Sequence, residues 1–226
     1  MSFSFLKLKE WVPERIWESL TIRFRTGPID SVEGLTDFVQ TRSAYVAQTS
    51  LYGYLKNRMG IKYPEMFADE TMVASIDLAK WRTYGSCLAD LAIFAAASSG
   101  TNGRLSEAAQ AKLAAHCFHS ALEASFDEPT AQDLMDEISR QFQARADGTN
   151  WSIAAEGENA FEASPVDLVK HAPIADELKE LDVDIVVNST RFRWRDIRTQ
   201  LRERLDPAAV SADWSRQDEV SPHETG

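Results

Sequence analysis

Steps of three and four residues line side chains up on one face of a helix. That spacing links Phe38, Arg42, Tyr45, Thr49, Tyr52 and Lys56. One face therefore collects two phenols, two cations and a hydroxyl. Tyr and Arg are the residue types favoured at binding hot spots, although tyrosines also pack between helices with their hydroxyls at the rim. A second stripe carries Arg191, Arg195, Arg198 and Arg202 at steps of four, three and four. Guanidiniums in line suit phosphates, carboxylates or an acidic helix. Arg42, Tyr45, Thr49, Tyr52 and Lys56, with those four arginines, form the expected partner-binding set.

Asp90 lies inside the run Cys87 to Ala97, which is apolar on nearly every side. A buried carboxylate is costly unless paired, and Arg42, Arg58 and Lys80 are candidate partners. His116 and His119 sit three apart with Glu123 on the same side, a spacing that suits metal ligands. Lys112 continues that stripe and no Glu-x-x-His motif supplies a second helix, so a solvated face is expected and no metal site. Gly-x-Ser-x-Gly is absent, and Gly85-Ser86-Cys87 falls within a helical pattern rather than at a strand-to-helix turn. No catalytic residue and no cofactor are assigned.

These side chains must be held by helices, because apolar-periodic segments dominate and almost nothing reads as a strand. Pro13 opens an aromatic, amphipathic segment within residues 1–26. Asp30 with Glu33 forms a capping box for a helix that runs to about Met59 and stops at Gly60. Further helices are expected from about Asp69 to Ser98, over 105–126, and from Thr130 to about Asp147. Ser164-Pro165-Val166-Asp167 reads as a helix start with an N-cap serine. An acidic helical turn follows Pro173. Asp182 then caps a last helix to about Leu205. The polar residues 206–226 lack an apolar face and read as disordered.

The expected architecture is all-α: a single-domain bundle of about six helices, with an N-terminal segment 1–26, a helical domain 27–205 and a tail 206–226. The chain of 226 residues is 44% hydrophobic, enough for one core, and its net charge of −11 argues against nucleic acid as a partner. Charge is unevenly placed: residues 127–184 hold fifteen acids against four bases, and 191–204 hold six arginines against two acids. Such blocks face one another or serve separate partners. Cys87 and Cys117 read as reduced core residues. Met1 to Lys9 lacks the apolar run of a signal peptide. The most apolar stretch, Leu88 to Ala97, is far short of the roughly 20 residues a membrane span needs.

The runs Thr41 to Gly60 and Asn188 to Arg195, about an eighth of the chain, resemble an uncharacterised family of proteobacterial proteins, some labelled "esterase". The resemblance implies a bacterial cytoplasmic origin, while the motif that label needs is missing here.

The expected function is non-enzymatic: a helical adaptor, scaffold or assembly protein that binds another protein. Homo-oligomerisation and peripheral contact with the inner membrane through residues 1–24 are further expectations. The alternative is an enzyme or small-ligand binder with an inter-helical pocket around Arg42, Tyr45, Tyr52 and Asp90.

Overall fold

The computed structural model describes residues 27–62, 65, 68–125 and 132–220. It is all-α. Among the described residues seven α-helices occur: α1 (Val32–Met59), α2 (Glu70–Ser99), α3 (Glu107–Glu123), α4 (Gln132–Asp147), α5 (Ala163–His171), α6 (Asp176–Arg204) and α7 (Pro207–Val220). The segment 1–26, with its expected contacts, lies outside the described residues, as does Thr130.

The centre of the fold is α2. Every residue from Thr83 to Ser99 is buried, as expected of a helix apolar on all sides. Around it pack α1, α3, α4, α5 and α7. Small residues allow the close approach. At Gly85 an added Cβ would lie 2.6 Å from Ile138 Cγ2 on α4. Next to this contact, Phe118 of α3 stacks on Phe142 of α4 at 4.0 Å between ring centroids. Phe161 tilts between Phe94 and Trp194, at 5.0 and 4.7 Å. A smaller cluster, including Leu51, Tyr52, Leu55, Ile76 and Leu168, joins the far ends of α1 and α2 to α5.

Helix ends follow local chemistry, with corrections. The α1 cap is Ser31 rather than Asp30: Ser31 Oγ accepts the Gly34 amide at 3.2 Å. Gly60 ends α1 at φ +54°, where a side chain would be strained. Asp69 caps α2 by accepting the amides of Thr71 and Met72. Ser164 is not a cap either. It lies one residue inside α5, fully buried, where its hydroxyl accepts Trp194 Nε1–H at 2.9 Å. Asp182 does not start a new helix. It lies mid-α6 and accepts two bonds from Arg58 of α1, so its carboxylate is spent on the neighbouring helix.

The expected disorder of 206–226 is overturned for 207–220, which form α7. Asp206 accepts the amides of Ala208 and Ala209 at 3.0 Å, and Pro207 takes the first helical position. Val210 and Trp214, four apart, bury one narrow face. Residues 221–226 lie outside the described set. Before α7, the chain near Ile29 pairs with the end of α6. The Ile29 amide donates to the Arg204 carbonyl and the Asp206 amide to the Ile29 carbonyl, both at 2.8 Å. From α7, Asp213 Oδ2 accepts the Val32 amide at 2.9 Å and so caps α1 from outside.

Candidate functional site

The two sequence stripes meet different fates. On α1, Arg42 and Tyr52 are buried, Tyr45 and Thr49 are half-buried, and Lys56 is exposed. These five do not form a solvent-facing contact surface. Arg42 turns to α6, donating from Nε to Gln200 Oε1 at 2.9 Å and standing 5.3 Å from the Phe38 ring centroid. Burial, with Arg204 beside it, lowers the Arg42 pKa to about 10. Thr49 spends its hydroxyl on the Tyr45 carbonyl.

Asp90 points elsewhere. It is fully buried, and its cation is Arg145 of α4, not Arg42, Arg58 or Lys80. Its second oxygen accepts the Ser164 amide at 3.1 Å. Burial raises the Asp90 carboxyl, and Arg145 and Ser164 offset only part of that rise. Arg58 is taken by Asp182 and Lys80 by Asp77. Arg42 and Asp90 of the expected pocket thus address different helices, and none of its four residues lines any cleft described below.

On α6 the arginine stripe divides. Arg198 is buried and donates to the Gly157 carbonyl and, at 3.0 Å, to Glu158 Oε1. Arg202 reaches the Ala155 carbonyl at 3.3 Å and stands 5.6 Å from the Phe94 ring centroid. With Arg145, which donates to the Ala160 carbonyl, these two pin the connection between α4 and α5. This much of the stripe is an internal contact with the acidic block. Arg191 and Arg195 stay exposed, Arg195 lying 4.2 Å from the Phe192 ring centroid.

Beside them lies a surface that periodicity alone did not flag as exposed. Leu178, Leu181, Ile185 and Phe192 are 40, 73, 71 and 57% exposed. Their steps of three, four and seven, with Asn188 between the last two, make a heptad seam along one face of α6. Its flank carries Glu177 and Asp184 in the first half and Arg191 and Arg195 in the second. The signal was present in the sequence, but the same spacing suits a helix that faces the core.

Clefts open on the surface among the described residues. One of about 670 Å³, bounded by α4, α5 and their connection, is lined in part by Arg145, Asn150, Asn159 and Asp167. Another, of about 510 Å³, lies against Asp133, Asp136, Ser139 and Arg140 of α4, and one of about 330 Å³ separates α1 from α6.

Nucleophile and metal chemistry find little support among the described residues. Burial, and then Asp90, push the Cys87 thiol well above its usual range, so it stays protonated. Ser86 donates straight to Asp167 Oδ2 at 2.6 Å, with no histidine between them. His116 packs on Trp214, and His119 packs edge-on to Phe118 and Phe142. Among the described residues no group of three or more His, Cys, Asp or Glu gathers where a metal could be held. No described helix is long and apolar enough to cross a membrane.

No protein-family model, curated protein or solved structure matches the chain.

Proposed function

We propose that this protein is a helical scaffold or adaptor without catalytic chemistry, and that it assembles through the exposed seam of α6 with a second copy of itself. The observation that carries this reading is the seam: three large apolar side chains more than half exposed, in heptad register, beside a flank that changes sign halfway along.

That flank favours an antiparallel copy. A two-fold axis between Val186 and Val187 sets Leu181 opposite Phe192 and Leu178 opposite Arg195. It brings Glu177 and Asp184 of one helix to Arg195 and Arg191 of the other. The contact is isologous, so it closes at two copies. Burying Leu181, Ile185 and Phe192 on both copies contributes roughly 1.5–3 kcal/mol per fully buried side chain. Association entropy offsets about 4–15 kcal/mol of this, so the dimer should be concentration-dependent.

Light scattering after size exclusion tests it. The wild type should approach twice the monomer mass as concentration rises. Leu181→Glu with Ile185→Glu should be monomeric with unchanged far-UV dichroism, since neither side chain belongs to the core. Arg195→Glu should weaken pairing, and adding Glu177→Arg should restore it. A wild type that stays monomeric to roughly 100 µM, where even about −5.5 kcal/mol of binding would register, overturns the proposal.

A further inference from the structure

Independently of that seam, we infer that the cleft between α1 and α6 is a binding site for a small organic oxyanion, with a carboxylate or phosphate held at Arg193. The site is built by two facing stripes. Ser50, Gly53 and Asn57 come from α1, and Val186, Ser189 and Arg193 from α6. Each stripe runs at steps of three and four, so each helix presents one row to the cleft.

Arg193 is half-buried, and burial lowers its pKa. Yet among the described residues no carboxylate pairs with it. One of its terminal nitrogens donates to Ser189 Oγ at 2.8 Å and to the Ser189 carbonyl at 3.2 Å. The other lies 3.9 Å from where a Gly53 Cβ would sit, which places the guanidinium against the α1 wall of the cleft. A partly desolvated cation without a counter-charge is costly, and an incoming oxyanion would lower that cost by charge-assisted bonds.

A second observation points the same way. Ser50 is 5% exposed, lines the same cleft, and its Oγ has no hydrogen-bond partner. Buried hydroxyls are ordinarily satisfied. A ligand oxygen seated at Arg193 would supply the missing acceptor.

The rest of the lining defines the ligand further. At the far end, Arg58 and Asp182 neutralise one another, with Arg58 Nη2 at 2.6 Å from Asp182 Oδ1. Arg193 therefore sets the sign of the site, against the −11 of the whole chain. Val186 offers apolar contact to a short hydrocarbon body. A volume of about 330 Å³ suits a small metabolite.

The test is a titration of the labelled protein with inorganic phosphate, butyrate and neutral butyramide at constant ionic strength, followed by amide and arginine side-chain NMR. Saturable shifts confined to residues 50–57 and 185–193 are expected with phosphate and butyrate, and none with butyramide. Butyrate binding against silent phosphate would identify a carboxylate site, and the reverse a phosphate site; either supports the inference. Arg193→Gln should weaken binding about tenfold or more. Gly53→Leu, which fills the cleft from the other helix, should abolish it while the spectrum stays dispersed. The Leu181→Glu variant should still bind, which separates this site from the α6 seam. Shifts that persist in Arg193→Gln, that butyramide reproduces, or that centre on Arg191 and Arg195 would overturn the inference, as would no shifts at all.

Discussion

Replacing Arg145 by methionine should cost this protein about 3–4 kcal/mol and enlarge the stability that Asp90 loses as pH rises. Asp90 has no exposed surface, and Arg145 is the cation that answers it. Removing one member of a buried pair ordinarily costs about 3–5 kcal/mol. The Arg145 side chain keeps 22% exposure, so solvent already screens part of the pair, and the lower end, about 3 kcal/mol, applies. Losing the bond to the Ala160 carbonyl adds about 1 kcal/mol. For a chain of this size that corresponds to a melting point lower by roughly 6–16 °C. The sign with pH follows from the raised Asp90 carboxyl, which rises further without its cation. Below its unfolded pKa, about 4, the carboxyl is protonated in both states and the stabilisation of the acid form is fully present. It is lost as pH climbs through the higher folded value. The variant should therefore gain stability, relative to wild type, between about pH 8 and pH 5. Asp90→Asn added to Arg145→Met removes the stranded charge and should recover about half the loss or more. Urea unfolding followed by far-UV dichroism at both pH values measures all three proteins. A single-variant loss under about 1 kcal/mol, relative destabilisation on acidification, or a double variant no better than the single would refute the reasoning.

Two further outcomes follow from packing and capping. Gly85→Ala should destabilise by about 1–3 kcal/mol in chemical unfolding, because the new methyl meets Ile138 at 2.6 Å. Ile138→Val should relieve part of that loss, and an alanine variant as stable as wild type would contradict the tight α2–α4 approach. Asp213→Ala should cost about 1 kcal/mol, the usual value of a helix cap, and should speed hydrogen exchange at the Val32 amide; unchanged exchange there would remove the cap.

The helices were legible wherever a long apolar period met a local stop. The bounds of α2 fell within a residue of expectation because Asp69 and the Ser98–Gly103 turn are local signals. Those of α7 were missed because its buried apolar side chains include little beyond Val210 and Trp214, although Asp206-Pro207 is a recognisable start. Partners were less legible than elements. Asp90 had to be paired, and the sequence said so. Which cation answered it depended on how α4 crosses α2, 55 residues away along the chain, and composition does not encode a crossing. The arginine stripe was visible as four equal residues. The connection after α4 made them unequal by covering Arg198 and accepting a bond from the exposed Arg202, while Arg191 and Arg195 stand clear of it.

The cap that Asp213 places on Val32 joins residues 181 apart in the chain. During synthesis, α1 emerges before the other described helices and waits. Its first turn lacks this acceptor until α7 has been made, and the Ile29 strap cannot close before Arg204 and Asp206 exist. Early helices can pack as they appear, but the closing contacts cannot form until residues 204–213 have been made. A ribosome stalled before residue 204 would therefore hold a chain whose central helix is already surrounded and whose ends are still open to proteases.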